Sequence, residues 1–539
     1  LNVETYSDGL IMKVLVADKI AASGVAYLRQ QEGIEVVEAY GSSEDTLCAL
    51  SKDVDAIIVR SASDVTRKIM EAAPQLKAIG RAGVGVDNID VEAATERGVI
   101  VLNTPAGNTI ATAELAFTHL LCSARPIPQA CASMRENKWD KKSFEGTELL
   151  NKTLGILGLG RIGTEVAKRA LAFGMNVLAY DPYLTQERAR ALDVKKVDFE
   201  ELIQNADFIT VHMPKTEETN HLINKAALAQ MKKGVRIVNC ARGGIIQEDD
   251  LLEALQSGKV AYAGLDVFET EPLAKDSPLR QQKNLVLTPH LGASTVEAQE
   301  NVGLEVAVEI VAALTGGMVR NAVNMPALDP AALKLLKPFI HLGHQLGALV
   351  QQITPDEVQK LTITYWGRLT ELDMMAVTRA IQKGYLSRIS EHVNDVNAPH
   401  HMKNKGIEVQ VIKSSADREY NDLISVEALE PNGNRHVLEG TVIGKSQQPR
   451  LVHINGREVE GLLSGCIMLI ENEDVRGVVG LIGTSLAKHG VNIANMSLSR
   501  NAVGGLALNV VELDSRPSDA CLTELRSHKP VKNVYMVEL

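Results

Sequence analysis

Eleven residues constrain this chain more than any others. Thr153-Leu154-Gly155-Ile156-Leu157 reads as an apolar strand, and Gly158-Leu159-Gly160-Arg161-Ile162-Gly163 follows it as G-x-G-x-x-G, leading into a helical pattern from Thr164 to Phe173. Each glycine has its own physical reason. Gly158 permits a tight turn, Gly160 lets a pyrophosphate approach the backbone, and Gly163 lets the helix pack closely on the strand, while free N–H groups at the helix N-terminus face the anion. The next strand pattern, MNVLAYDP, places Asp181 18 residues beyond Gly163, where an acid holds the adenosine ribose hydroxyls and repels a 2'-phosphate. Together these predict a parallel α/β sheet that binds NAD rather than NADP. For the motif alone, an ordinary glycine-rich βα turn is the alternative.

The rest of the chain repeats the same grammar. At 539 residues it exceeds what one hydrophobic core holds, so several domains are expected. From Lys13 the runs KVLVAD, IEVVEA, DAIIVRS, LKAIGRAG and GVIVLNTP alternate with helical stretches, which predicts one parallel α/β lobe. A long helix is expected from Asn108 to about Ala132. A second series follows: KTLGILGLG, MNVLAYDP, ADFITVHMP, VRIVNCARG, YAGLDVF and NLVLTPH. The fold class is thus α/β, with two doubly wound parallel-sheet lobes. A helix from Thr295 to Leu314 leads to a linker with Pro326 and Pro330. Beyond it come a mixed α+β stretch and, over the last ~75 residues, a strand-helix-strand-strand-helix-strand pattern that fits a ferredoxin-like sandwich. The boundaries expected are a leader at 1–11, a substrate lobe at 12–108 with 295–325, a nucleotide lobe at 109–294, an intervening domain at 326–461 and a final unit at 462–539.

Composition removes several function classes. Apolar residues make up 45% and charged residues 23%, which suits a packed globular chain, and a net charge of −11 argues against binding nucleic acid or anionic membranes non-specifically. No apolar run approaches the ~18 residues a bilayer needs, and Leu1 to Leu10 lack the basic start of an export signal. Six cysteines lie scattered without metal-ligand spacing, so reduced thiols, a cytoplasmic location and no metal site are expected.

Three polar residues fall at or just after strand ends of the second lobe: Arg242 after VRIVNCA, Glu271 after GLDVFET and His290 after NLVLTP. In an open parallel sheet such ends converge on the ligand crevice. Oxidising a 2-hydroxy acid needs a base for the hydroxyl proton, a group that orients the base, and a cation for the carboxylate. His290, Glu271 and Arg242 supply these in turn. Taken singly, each could be a surface charge or a core histidine. Asp266 in GLDVF either contacts the nicotinamide or caps a turn.

These motifs, with TPHLGAS, LDVFETEP, VNCARGGII and, in the first lobe, VRSAS, GRAGVGVDNID and NTPAGNTIATAE, resemble the D-2-hydroxyacid dehydrogenase family over Lys13 to Asn324. The best fit is the long branch with intervening and ACT domains. The resemblance implies oxidation of 3-phosphoglycerate to 3-phosphohydroxypyruvate, the first step of serine synthesis. By it, Arg60 and Ser61 bind the phosphate, Asn108 helps hold the substrate, and Gly83 and Val84 meet its carboxylate. A guanidinium suits a phosphate because it donates two parallel hydrogen bonds. Cofactor contacts implied are Val84, Arg161, Ile162, Met213, Cys240, Ala241, Asp266 and Gly292, several through backbone atoms. Lys141 and Lys142 match a segment that reaches into a neighbouring subunit, and a homodimer or homotetramer is implied. IENEDVRGVVGLIGTSLAKHGVNIANMSLSR resembles an ACT domain, in which Asp474 and Asn492 match serine-binding positions, although Arg476 stands where a proline is usual. Other 2-hydroxy acids, such as 2-hydroxyglutarate, and a dinucleotide-sensing corepressor-like scaffold remain as alternatives.

Overall fold

The structure, a computed structural model, describes residues 11–326, 328, 330–354 and 357–539, so residues 1–10 of the expected leader lie outside the described residues. Five strands, β1 (Met12–Val16), β2 (Ile34–Glu38), β3 (Ala56–Val59), β4 (Ala78–Arg81) and β5 (Ile100–Leu102), form a parallel sheet in the order β2-β1-β3-β4-β5. The central strands are buried along nearly their whole length, because both faces of the sheet are covered. The helix Val296–Leu314 returns to this sheet from far along the chain, and its Val302, Val306 and Ile310 share a core with Val14, Ile58 and Ala78. Where it crosses the helix Ala22–Arg29, a Cβ on Gly24 would stand 2.3 Å from the Gly303 carbonyl oxygen, so the contact requires glycine.

The second sheet is parallel and seven-stranded: β6 (Thr153–Leu157), β7 (Asn176–Tyr180), β8 (Lys195–Lys196), β9 (Phe208–Val211), β10 (Val235–Asn239), β11 (Val260–Leu265) and β12 (Leu285–Leu287), in the order β12-β11-β10-β9-β6-β7-β8. The chain leaves β6 toward β7 and later returns on its other side as β9. The crevice at that switch point lies outside the carboxyl ends of the strands, where α/β sheets bind ligands. One expectation is corrected here. The long helix from Asn108 to Ala132 is two helices, Thr109–Ala124 and Ile127–Arg135. Pro126 excludes the helical conformation at the residue before it, and Arg125 is extended at φ −126° and ψ 105°.

The C-terminal half holds two further sheets. Six strands, β13 (Lys360–Gly367), β14 (Glu408–Ser414), β15 (Asp422–Leu429), β16 (Arg435–Ile443), β17 (Gln448–Ile454) and β18 (Arg457–Leu462), run in the order β14-β13-β15-β16-β17-β18, with only β13 and β14 parallel. Four antiparallel strands, β19 (Cys466–Glu473), β20 (Ile493–Arg500), β21 (Leu506–Leu513) and β22 (Val531–Glu538), take the order β20-β21-β19-β22 with two intervening helices, the ferredoxin-like arrangement. The helix Pro330–Ile353 serves both sheets: Leu342, Leu346 and Leu349 pack in one core with Ile363 and Val426 and with Ile467, Leu469 and Val510. The expected boundary at 461/462 falls at the end of β18, one core continues across it, and the far face of the four-stranded sheet has a core of its own with Met468, Ile482 and Leu525. Among the described residues no helix is long and apolar enough to cross a membrane, and no group of three or more His, Cys, Asp or Glu is placed to hold a metal ion.

Candidate active site

The glycine turn leaves β6 with Gly158 at φ +93°, where a Cβ would meet the His212 carbonyl oxygen at 2.5 Å. At Gly163 a Cβ would stand 2.1 Å from the Gly158 carbonyl oxygen, so the helix Arg161–Ala172 reaches the turn only without a side chain there. Gly160 differs. A Cβ on it would meet nothing within 4 Å, and this residue begins a helix with no side-chain cap. An open face above uncapped N–H donors fits a pyrophosphate. Asp181 follows β7 and accepts from the N–H of Leu159 at 2.9 Å and of Tyr183 at 2.8 Å, which ties the acid directly to the glycine turn.

A cavity of about 880 Å³ opens between the first two sheets. Its wall takes Arg60, Ser61, Gly83, Val84 and Asn108 from the first lobe or its edge, and Ile162, Met213, Cys240, Ala241, Arg242, Glu271, His290 and Gly292 from the second. Gly158, Gly160, Arg161, Gly163, Asp181 and Asp266 do not line it. Asn108 presents a buried Oδ1 without a hydrogen-bond partner, an acceptor free for a ligand.

His290 and Glu271 are already paired, with Nδ1 and Oε2 2.6 Å apart, and the other Glu271 oxygen accepts from the Phe268 N–H at 3.0 Å. The Glu271 bond, opposed by burial, raises the His290 imidazole above its ordinary range. For Glu271, burial acts upward, but the bonds from His290 and the Phe268 N–H, with the nearby positive charges, outweigh it and leave the carboxyl below its ordinary range. A carboxylate on Nδ1 leaves Nε2 as the atom that exchanges a proton with a ligand. Arg242 reaches across the cleft, its Nε 3.3 Å from Asp87 Oδ2 of the first lobe and one terminal nitrogen donating to the Ala241 carbonyl at 2.7 Å. A Cβ on Gly85 would stand 1.9 Å from the Arg242 guanidinium, so this glycine gives the arginine its path. Asp266 is fully buried, and its carboxylate accepts from Thr288 Oγ1 and the N–H groups of Leu291 and Gly292. It holds the turn that carries His290.

Sequence reasoning passed over two residues that build the anion end of the cavity. Arg81, at the end of β4, lines the wall beside Arg60 and Arg242. Burial, together with the charges of Arg242 and Arg60, pushes its guanidinium down to about 10, so it remains cationic at neutral pH. Asp18 shapes the Arg60 loop, accepting from the N–H groups of Arg60 (2.7 Å), Ala62 (3.1 Å) and Ser63 (3.1 Å) and from the Ser63 hydroxyl (2.6 Å). The signal for Arg81 lay in GRAGVGVDNID, where a cation ends a strand of a parallel sheet.

The candidate effector residues are not brought together. Asp474 precedes the helix Val478–Lys488 and is bonded to Arg500 and the Gly504 N–H, whereas Asn492 follows the far end of that helix and donates to Asp514.

Known proteins resemble this chain over nearly its whole length. Residues 117–292 match the family model of the D-isomer-specific 2-hydroxyacid dehydrogenase NAD-binding domain, and residues 335–455 match that of the D-3-phosphoglycerate dehydrogenase intervening domain. A D-3-phosphoglycerate dehydrogenase of Archaeoglobus fulgidus is 42% identical over 98% of this chain and 100% of its own. One from Bacillus subtilis is 41% identical over the same shares. Among solved structures, an NAD-dependent formate dehydrogenase from Staphylococcus aureus in complex with NAD is 33% identical, with a TM-score of 0.51 over 56% of this chain and 95% of its own.

Proposed function

From the premise that this chain belongs to the D-3-phosphoglycerate dehydrogenases, we propose how its residues divide the work of oxidising 3-phosphoglycerate to 3-phosphohydroxypyruvate with NAD, the first step of serine synthesis. NAD, when bound, accepts the hydrogen and electron pair from the substrate's C2. Gly158, Gly160 and Gly163 seat its pyrophosphate, with the uncapped helix N-terminus donating, and Asp181 holds the adenosine ribose. Ile162, Met213, Cys240, Ala241 and Gly292 flank the cofactor and keep water from the reacting carbon. His290 Nε2 takes the C2 hydroxyl proton as the carbonyl forms, and Glu271 stabilises the resulting imidazolium. Arg242 exchanges its bond to Asp87 for the substrate carboxylate, with the backbone of Gly83 and Val84 alongside. Arg60 and Ser61, with Arg81 behind them, receive the phosphate, and Asn108 fixes the chain between the two anionic ends. The observation that carries this reading is the paired His290 and Glu271 in one cavity whose wall also takes Arg60, Arg81 and Arg242.

The assembly is a homodimer or homotetramer in this reading. The helix Ile127–Arg135 buries none of its residues, and Ile127, Met134 and Trp139 are 59%, 53% and 77% exposed, an apolar surface suited to a second copy. Lys141 and Lys142 follow directly and would reach the neighbour's substrate. Serine is the proposed effector, bound between two ferredoxin-like units, because Asp474 and Asn492 at opposite ends of one helix can share a ligand only across copies. Six free cysteines suit the cytoplasm. The test is NADH consumption over a panel of 2-keto acids with and without serine. Preference for 3-phosphohydroxypyruvate and inhibition by serine are expected. Equal rates with 2-oxoglutarate would overturn the substrate reading, and indifference to serine the regulatory one.

A further inference from the structure

His290 occupies a backbone conformation that a non-glycine residue keeps only when its surroundings hold it there, at φ +54°. What holds it can be followed bond by bond. Its own N–H donates to the Asp266 carbonyl oxygen at 2.9 Å, and the next two, of Leu291 and Gly292, donate to the Asp266 carboxylate at 2.7 and 2.9 Å. Thr288 Oγ1 lies 2.6 Å from the same carboxylate. An ionised carboxylate only accepts, so the single hydroxyl proton of Thr288 is committed to it. Thr288 Oγ1 must then accept from its other neighbour, His119 Nε2, at 2.9 Å. This fixes His119 as the neutral Nε2–H tautomer. Its Nδ1 is buried with no acceptor that would call for a proton there, and His119 is 2% exposed.

His119 lies on the helix Thr109–Ala124, seven residues after Thr112 and hence on the same face. Thr112 Oγ1 donates to the Gly292 carbonyl at 2.9 Å. One helix face therefore grips the turn on both sides of His290, through Thr288 before it and Gly292 after it. Burial keeps His119 below the ordinary imidazole range, in keeping with the neutral tautomer. No step of the reaction above uses this residue.

We propose that His119 is a positioning residue for His290, acting through Thr288 and Asp266 to hold the turn in its left-handed conformation. The inference rests on His290 as the acid/base group, so His290→Ala is assayed in parallel. His119→Met removes the donor at similar volume, and His119→Gln keeps a neutral N–H donor at the same reach. His119→Met should lower kcat for reduction of 3-phosphohydroxypyruvate about 5- to 10-fold, the size expected for one lost buried hydrogen bond, with KM for NADH within about twofold. His119→Gln should recover most of that loss. Thr288→Val, which leaves the helix untouched and carries the test if His119→Met does not fold, should show a similar kcat loss. Combined with His119→Met it should cost no more than the worse single change. Full activity in His119→Met or Thr288→Val, failure of His119→Gln to recover the rate, an effect on the KM for NADH alone, or losses that multiply would each overturn the proposal. If His290→Ala keeps its rate, the acid/base reading itself has failed; if it is inactive while His119→Met is unaffected, only the positioning role has.

Discussion

Replacing Glu271 by glutamine preserves the shape of the side chain and removes its charge. An amide oxygen can still accept from His290 Nδ1, now 2.6 Å from the carboxylate, but it no longer stabilises the imidazolium. A hydrogen bond with a charged partner contributes about 1.5–3 kcal/mol against about 1 for a neutral one. The His290 and Glu271 side chains are 50% and 35% exposed, so solvent screening confines the difference to about 1 kcal/mol, or roughly 5- to 10-fold in rate. The sign with pH is definite. Reduction of the keto acid needs His290 protonated, and oxidation of the hydroxy acid needs it neutral. Because Glu271, against the opposing effect of burial, raises the imidazole above its ordinary range, wild-type reduction persists to higher pH than an unpaired histidine would allow. The Glu271→Gln variant should move the falling limb of reduction and the rising limb of oxidation to lower pH. The deficit in reduction is then greatest on the alkaline side, and oxidation on the acid side is the least impaired. Initial rates followed by NADH absorbance from roughly pH 5.5 to 9.5 in both directions measure this. Limbs that stay in place, or move to higher pH, would refute the assigned role of Glu271.

Three further outcomes follow from the same geometry. Gly163→Ala puts a methyl 2.1 Å from the Gly158 carbonyl oxygen and should destabilise the cofactor-free protein by about 1–3 kcal/mol in a thermal melt, whereas Gly160→Ala, with open space around it, should melt like wild type yet bind NADH at least about tenfold more weakly by fluorescence titration. Asp18→Ala releases four bonds to the Arg60 loop and should raise KM for 3-phosphohydroxypyruvate about tenfold while leaving hydroxypyruvate, which lacks the phosphate, nearly unaffected. Asp181→Ala should narrow the preference for NADH over NADPH; an unchanged ratio of kcat/KM values would remove the argument from charge.

What the residues announced in advance was whatever has a local rule. β6 and its glycine turn, the uninterrupted apolar strands of two parallel sheets, and Arg242, Glu271 and His290 near strand ends were all readable, because period, spacing and turn chemistry are properties of neighbours in the chain. The break at Pro126 was also readable, and apolar periodicity across it hid the steric rule. β13 was readable too, with alternation in Leu361, Ile363 and Tyr365 between the turn residues Pro355-Asp356 and Gly367. Lys195–Lys196 is too short and too polar to read as a strand at all. In the site, Arg81 carries a strand-end signal, but nothing local says that its side chain turns into the cavity. Its path depends on Gly83, where a Cβ would lie 2.1 Å from its guanidinium, and on a bond to Asn88. Asp18 and His119 are silent in sequence for a related reason. Their partners lie 42 to 45 and 169 residues away, and only the fold brings them into contact.

The central claim is that His290, oriented by Glu271 in a cavity that Arg60, Arg81 and Arg242 also line, performs the proton transfer of 3-phosphoglycerate oxidation. The most direct measurement is the rate at which wild type and His290→Ala consume NADH with 3-phosphohydroxypyruvate, alongside the NADH dissociation constant of each. A loss of about 10² to 10⁴ in kcat with NADH affinity unchanged is the result predicted for removal of an acid/base group from an intact site. An alanine variant that turns over at the wild-type rate would contradict it.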